Sequence, residues 1–197
     1  MPRAKQRTPA LRDRLLDAAI ETLGEEGIAR FTTRRVAERA GTSVPAVYEL
    51  FTDKAGLVRA VFFEGFRMLG RELADVPSGE DPRADITALV PVFRRFCLDY
   101  PKLAQVMFSR PFADFDPGPD DLAAGTAVRE VFIGPIQRCI DAGLLTGDPA
   151  DIAHVLLALA QGLAVQEAGR WLGTATEIER RWQLGVTSLL AGFGAGR

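Results

Sequence analysis

Apolar residues recur at three- and four-residue spacing along most of the chain, and this period predicts helices. Near the N-terminus, Leu11, Leu15 and Leu23 share one face of a helix that begins after Thr8 and ends at Gly27. No segment alternates apolar and polar residues beside an Asn-Gly or Asp-Gly turn, as a β-hairpin would. The pattern therefore predicts an all-α fold.

Two short helices joined by a tight turn are predicted next. Thr32 can cap a helix that extends through Ala40, and Gly41 ends it. Ser43 can cap a second short helix over residues 44–51. Helices of this length are not stable alone in water, so tertiary packing must hold them.

Longer amphipathic segments occupy the remainder of the chain. Asp53 can cap a helix from Lys54 to about Ala74, and the Pro- and Gly-containing segment 77–82 predicts a loop. The last predicted helices are rich in Ala, Leu and Gly, which is typical of a helix pair buried on more than one face. Further helices are predicted at residues 83–99, 102–109, 119–142, 149–169 and 176–190.

Charge is unevenly distributed along the chain of 197 residues. Residues 1–60 contain eleven Lys and Arg against eight Asp and Glu, whereas the remaining residues contain thirteen against eighteen. The N-terminal excess includes Arg34, Arg35 and Arg39. Such a cluster is suited to a polyphosphate or forms a solvated charged face, and the composition leaves both interpretations open.

Residue types that carry catalysis or bind metals are sparse. The chain has one histidine, His154, and two cysteines, Cys97 and Cys139, that are far apart in sequence. No Gly-x-Ser-x-Gly, P-loop or Gly-x-Gly-x-x-Gly motif occurs. We therefore expect buried free thiols, no metal site, no cofactor and no enzymatic activity.

The N-terminus and the most apolar segment bear on localisation. The basic residues before Thr8 are not followed by an apolar stretch, so they do not form a signal peptide. The apolar segment 152–165 is shorter than the roughly 20 residues that cross a bilayer. We expect a cytoplasmic protein that makes no membrane contact.

The predicted helix order is that of a helix-turn-helix DNA-binding domain. Its second short helix must enter a major groove about 12 Å wide, which favours small side chains at the helix N-terminus. Helix N-termini also direct free amides toward phosphates. The ends at Thr32, Thr33 and Ser43 therefore predict contacts with the DNA backbone.

The residues themselves resemble TetR-family transcriptional regulators. The resemblance is carried by FTTRRVAERAG at residues 31–41, SVPAVY at 43–48 and FTDK at 51–54, and extends from about Leu11 to Leu69. It implies an all-helical homodimer with two helix-turn-helix heads. It also implies a DNA-binding domain over residues 1–52 and a domain over 53–197 that binds a small effector and dimerises.

The resemblance also implies roles for individual residues. Arg34 corresponds to a base-reading position, and Glu49 and Leu50 stand where many members carry groups that approach phosphate. Thr33, Tyr48 and Lys54 correspond to phosphate contacts, and Val44, Pro45 and Ala46 to base-facing positions suited to thymine methyl groups. The complete predicted DNA-binding set is Thr32, Thr33, Arg34, Ser43, Val44, Pro45, Ala46, Tyr48 and Lys54.

In the family that the chain resembles, an effector occupies a cavity among the central helices. Aromatic residues suited to such a cavity also fill ordinary cores, so both interpretations stay open. Gln161 lies in a strongly apolar segment and, if buried, needs a partner from an effector or from a helix across an interface. The predicted pocket residues are Phe66, Phe93, Phe96, Met107, Phe108, Phe112, Phe132, Gln161 and Trp171.

Together these features predict a ligand-responsive transcriptional regulator. We expect a repressor that binds a palindromic double-stranded operator as a dimer and is released by a small apolar effector. The last two helices are expected to form the dimer interface, with close approach at Gly162, Ala164 and Ala168. The alternative is a helical small-molecule carrier or interaction protein without specific DNA binding, which salt-dependent DNA binding would exclude.

Overall fold

The computed structural model describes residues 9–108 and 119–194, which contain helices and no named strand. The predicted all-α fold is confirmed, whereas Thr8 and Phe112 lie outside the described residues. None of the helices in these two ranges is long and apolar enough to cross a membrane. The helices are α1 (Pro9–Glu26), α2 (Thr33–Arg39), α3 (Val44–Phe51), α4 (Lys54–Ala74), α5 (Pro82–Asp99), α6 (Pro101–Phe108), α7 (Pro119–Asp141), α8 (Pro149–Ala168) and α9 (Ala175–Gly192).

Capping residues set several of these helix boundaries. The Thr32 side chain accepts a hydrogen bond from the backbone N–H of Arg35, and the Asp53 carboxylate accepts one from Gly56 at 2.7 Å. Gly41 ends α2 with a φ of +63°, which a glycine adopts without steric cost. Ser43 occupies the N-cap position of α3 as predicted, but its side chain makes no capping hydrogen bond to that helix.

The described residues form two compact units. One contains α1, α2, α3, α4 as far as Phe66, α6 and the start of α7. The other contains the remainder of α4, α5, most of α7, α8 and α9. These units are defined by packing within the chain, and the domain boundary predicted at residues 52 and 53 stays a prediction.

The first unit is built around α1, which packs against both α2 and α6. Its buried side chains include Leu15, Phe31 and Val47. Burial of such side chains stabilises the folded state by about 1.5–3 kcal/mol each relative to exposure in water. This core stabilises α2 and α3, which are too short to be stable as isolated helices.

A close approach between α4 and α6 extends the core of the first unit. A Cβ atom on Gly65 would lie 2.5 Å from Met107 Sδ, so the glycine allows α6 to pack closely against α4. At the next residue of each helix, the rings of Phe66 and Phe108 meet edge to face with centroids 5.7 Å apart. The middle of α4 is thereby fixed to α6, which begins 27 residues after α4 ends.

A partly buried polar network joins α5, α8 and α9 in the second unit. The Arg94 guanidinium donates two hydrogen bonds to Glu167, at 2.8 and 2.9 Å, and a third to Glu179 at 2.8 Å. Trp182 Nε1 also donates to Glu167, at 2.7 Å, and the Arg94 guanidinium lies 5.3 Å from the Trp182 ring centroid. Each carboxylate or cation in this network faces an opposite charge or a donor, as partly buried charges require.

A second charged pair fixes the loop before α5. Arg138 donates to the Asp85 carboxylate at 2.8 Å and to the carbonyl of Gly79 at 2.7 Å. The Gly79 backbone N–H donates to the other Asp85 oxygen at 2.8 Å. This backbone hydrogen bond, with help from Arg138, holds the pKa of the Asp85 carboxyl below its ordinary value. The loop is therefore tied to α7.

Both cysteines are buried free thiols, as predicted. Burial raises the pKa of the Cys97 thiol to about 12. Burial also raises the pKa of Cys139. Neither thiol is therefore activated as a nucleophile at neutral pH.

A tight turn connects α3 to α4. Thr52 adopts φ +68° and ψ −53°, and the Asp53 N–H donates to the Phe51 carbonyl at 2.7 Å, which forms a γ-turn of the strained type. Gly56 lies so close to this turn that a Cβ atom there would overlap the Phe51 carbonyl oxygen. Because Gly56 has no side chain, the first turn of α4 is able to pack closely against the end of α3.

Two glycine substitutions in α4 test this geometry. We expect Gly56→Ala to lower the free energy of unfolding by about 1–3 kcal/mol, because backbone must move to relieve the overlap. Gly70→Ala is the matched control, since a Cβ there meets no atom within 4 Å. We expect that control to raise stability by about 0.5–1 kcal/mol through helix propensity. Urea unfolding of both variants provides the measurement, and an equal effect of the two would contradict the assignment.

Candidate nucleic-acid interface

Two hydroxyl groups meet where α2 and α3 come together. Thr33 Oγ1 and Tyr48 OH lie 3.3 Å apart, within hydrogen-bond distance. Thr33 is buried, whereas Tyr48 remains 46% exposed. The phenol group is therefore anchored from the interior while its other side faces solvent. A hydroxyl held in this way is able to donate to a phosphate oxygen.

Arg34 extends from the solvent-facing side of α2. Its side chain is 82% exposed, and its Nε donates to Glu38 Oε1 at 2.9 Å. That hydrogen bond raises the pKa of the Arg34 guanidinium, so the group stays charged. An exposed guanidinium on a short helix is suited to bidentate recognition of a base or a phosphate.

The other two arginines of α2 are held by carboxylates of α1. Arg35 forms an ion pair with Glu26, and Arg39 forms one with Glu25. Arg39 Nη1 also lies 3.5 Å from Glu21. The hydrogen bond from Arg39 lowers the pKa of the Glu25 carboxyl. The arginine cluster seen in the sequence is therefore divided, because Arg35 and Arg39 join helices while Arg34 faces outward.

These acidic partners were not identified in the sequence. Glu21 and Glu25 are spaced four residues apart and share a face of α1, which is a signal that one charged helix face could pair with another. The sequence does not show which arginines would lie opposite them. That choice depends on the angle at which α2 crosses α1.

The N-terminal turn of α3 is only partly accessible. Pro45 is exposed and Val44 is partly exposed. Ala46 is 4% exposed and packs inside the first unit. The predicted base contact by Ala46 is therefore corrected, because its methyl group presents almost no surface to a ligand. Ala46 therefore faces the core of the first unit from the first turn of α3.

The remaining predicted DNA-binding residues lie at helix N-termini. Thr32 is exposed, Ser43 is partly exposed, and Lys54 is exposed at the first position of α4. Glu49 is exposed and Leu50 partly exposed on α3. The first unit thus presents hydroxyl groups, helix N-termini and exposed cations on α2, α3 and α4, and among these cations Arg34 and Lys54 make no ion pair with α1 in the described part of the chain.

Comparison with known proteins identifies this arrangement. A family model described as bacterial regulatory proteins, tetR family, matches residues 15–61, and one described as tetracyclin repressor-like, C-terminal domain, matches residues 86–189. The second match alone spans more than half of the chain. The chain belongs to the TetR family of transcriptional regulators.

Relatives of known function extend this assignment. An HTH-type transcriptional regulator from Saccharopolyspora erythraea is 26% identical over 98% of this chain and 89% of its own. The regulator BetI from Stenotrophomonas maltophilia is 35% identical over 42% of this chain and 43% of its own. The DNA-binding helix-turn-helix is thus common to this TetR-family chain and its relatives.

Solved structures show the same fold. A Rhodococcus protein of unknown function has a TM-score of 0.82 at 25% identity, covering 97% of this chain and 99% of its own. A TetR variant from Acinetobacter baumannii in complex with minocycline has a TM-score of 0.67 at 22% identity, covering 92% and 95%. The helical C-terminal portion of this TetR-family chain therefore has the architecture of the family.

The predicted pocket residues of this TetR-family regulator are distributed over both compact units. Most are buried, as either a core or a pocket requires, and their role stays a prediction. Trp171 is corrected: it is 78% exposed after α8 and lies on the surface rather than in a cavity wall. Phe66, Phe93, Phe96, Met107 and Phe132 are buried, and Phe108 and Gln161 are partly exposed.

Apolar side chains are exposed on α8 and α9 of the TetR-family chain. Val165 is 72% exposed and Leu184 is 58% exposed. Gly162 is exposed, with no atom within 4 Å of the position of a Cβ. Ala164, predicted to permit close approach of a partner, is instead buried within its own unit. Gly185, which sequence analysis did not single out, has Leu159 and Leu163 of α8 at 3.4 Å from its Cβ position, so it allows α8 and α9 to pack closely.

Metal binding has no support in the described ranges 9–108 and 119–194, where no three His, Cys, Asp or Glu side chains converge on a possible metal position.

The salt dependence of DNA binding distinguishes basic residues of the TetR-family head that pair with α1 from those that contact phosphate. We expect Arg35→Met and Arg39→Met to lower the midpoint of thermal unfolding, since both arginines form ion pairs with α1. The slope of the logarithm of the DNA association constant against the logarithm of salt concentration should stay unchanged in both variants. Lys54→Met should make the slope less steep by about 0.9 per head. Fluorescence anisotropy on a labelled duplex gives the slopes. An equal reduction for the Arg35 and Arg39 variants would show that those side chains contact phosphate.

Proposed function

We propose that this chain is a dimeric cytoplasmic repressor that binds a palindromic operator and leaves it when a small apolar effector binds. The observation that carries the proposal is Arg34, whose side chain is 82% exposed on α2 while Arg35 and Arg39 form ion pairs with α1. Regulation by DNA binding is established for the family, and the direction of control and the type of effector are our proposals.

The head reads DNA through two kinds of contact. The Arg34 guanidinium donates to O6 and N7 of a guanine, which is the commonest base-specific contact of arginine. Tyr48, supported by Thr33, and Lys54 bind phosphates and fix the orientation of the head. Val44 and Pro45 approach thymine methyl groups, and they add little discrimination because neither side chain donates a hydrogen bond.

Dimerisation follows from the size of the head and from the exposed apolar residues of α8 and α9. A single head with few base contacts binds a half-site weakly, whereas two heads about 34 Å apart, or a multiple of that distance, bind both half-sites at once. Burial of Val165 and Leu184 against a second copy removes apolar surface from water. A two-fold dimer also explains why the operator is palindromic.

Effector binding is proposed at the buried aromatic side chains of the C-terminal helices, including Phe93, Phe96 and Phe132 of the second unit. Their chemistry favours an apolar or aromatic molecule over a charged one. Residues of α4 belong to both compact units, and its first residue, Lys54, is a proposed phosphate contact. A ligand that favours a different position of α4 therefore lowers operator affinity by shifting the population of dimers away from the DNA-binding state.

Selection from a randomised duplex library tests the DNA-binding function. We expect the wild-type protein to select an inverted repeat and to bind it with a steep salt dependence. Arg34→Ala should lose discrimination at one base pair in each half-site, by about 1–3 kcal/mol. Lys54→Met is the control, because loss of a phosphate contact weakens all sequences equally. Failure of the wild-type protein to select any sequence at low salt would instead support a ligand carrier.

Two substitutions test the dimer. We expect Val165→Asp combined with Leu184→Asp to give a monomer in sedimentation equilibrium at micromolar concentration, because carboxylates in an apolar interface are strongly disfavoured. Gln166→Asp is the control, since it adds one of the two carboxylates at an exposed neighbouring position of α8 without removing an apolar side chain. A dimer that survives the double substitution, or one that the control also dissociates, would place the interface elsewhere.

A further inference from the structure

Arg34 and Glu38 form an exposed ion pair along α2. They are four residues apart, and their side chains are 82% and 62% exposed. Arg35 and Arg39, by contrast, make their ion pairs with residues of α1. Among the described ion pairs, the Arg34 guanidinium is therefore held by a carboxylate of its own helix rather than by one of another helix.

The contact with Glu38 determines which N–H donors of the Arg34 guanidinium remain available to DNA. The bond to Glu38 Oε1 uses the Nε–H of Arg34, at 2.9 Å. A guanidinium has five N–H donors arranged as a planar fork. With Nε engaged, the paired N–H groups of Nη1 and Nη2 remain at the end of the fork. That end has the geometry for bidentate contact with O6 and N7 of guanine.

The surroundings decide how much this contact contributes. In water, an exposed pair at this spacing stabilises a helix only slightly. In a groove from which water is excluded, the same pair is stronger, and it restricts the rotation of a long side chain before the base is reached. The carboxylate also repels nearby phosphates, so its two effects on DNA affinity have opposite signs.

We infer that Glu38 is a positioning residue that orients the Arg34 guanidinium toward its base, and so sets the specificity of the head at that position. This inference rests on the proposed function, because it requires that Arg34 reads a base. It concerns specificity rather than affinity. Removing Glu38 therefore reduces discrimination at one base pair per half-site even where total affinity changes little.

A double-mutant cycle tests the inference in the full-length protein. The probes are the duplex selected by the wild-type protein from a randomised library and duplexes that differ from it by one base pair. Binding by Glu38→Ala, Glu38→Gln, Arg34→Ala and the double Ala variant is measured by anisotropy. Asp17→Ala, on the exposed side of α1, is the control for loss of one negative charge, and thermal unfolding confirms that each variant is folded.

The expected result is specific to one base pair. Glu38→Ala lowers the preference at the position read by Arg34 by about threefold to tenfold and leaves the other positions unchanged. Glu38→Gln retains an oxygen that accepts from Nε and recovers part of the preference. In the Arg34→Ala background, loss of Glu38 has no further effect on base preference. Asp17→Ala preserves the wild-type preference throughout.

Three results would overturn the inference. Tighter binding of Glu38→Ala to all duplexes, with unchanged preference, would show that the carboxylate only repels phosphate. A loss of preference that persists without Arg34 would show that Glu38 itself reads a base, as a carboxylate does at cytosine N4. Wild-type base preference in the Arg34→Ala protein would show that Arg34 does not read a base. In each case the wild-type protein still selects an operator, whereas failure of that selection would overturn the proposed function itself.

Discussion

Burial of α2 and α3 in the core of the first unit is the constraint on which the DNA-binding head depends. Helices α2 and α3 contain seven and eight residues, and neither length is sustained by its own hydrogen bonds in water. Their persistence comes from Phe31, Val36 and Val47, whose side chains are almost completely removed from solvent. The recognition surface is therefore an outcome of the core, and a loss of packing there would remove the surface as well.

Charge then determines which side chains of the head are available to a ligand. The carboxylates of α1 hold Arg35 and Arg39, so the paired side of α2 is neutralised while Arg34 faces outward. The γ-turn at Thr52 and the close approach at Gly56 set how α3 continues into α4. Charge pairing thus determines which arginines of α2 face solvent, and backbone geometry determines the direction in which α4 leaves α3.

The second unit uses a different means of holding its helices together. The network of Arg94, Glu167, Glu179 and Trp182 places charged groups where α5, α8 and α9 meet, and its hydrogen bonds offset the cost of removing those charges from water. Such bonds are directional, so they select one arrangement of the three helices. The same helices leave Val165 and Leu184 exposed, which is the surface that a second copy is proposed to cover.

Local chemistry determined the helices of this protein from its sequence alone. Thr32, Asp53 and Gly41 mark helix ends because capping and positive φ involve residues only a few positions apart, and the motif at residues 31–54 was sufficient to indicate the family. Tertiary structure decided the pairing of α2 with α1, the burial of Ala46 and the exposure of Trp171. The physical reason is that these features depend on the angles and distances between helices, which arise from contacts among residues far apart in the chain and leave no periodic signal in it.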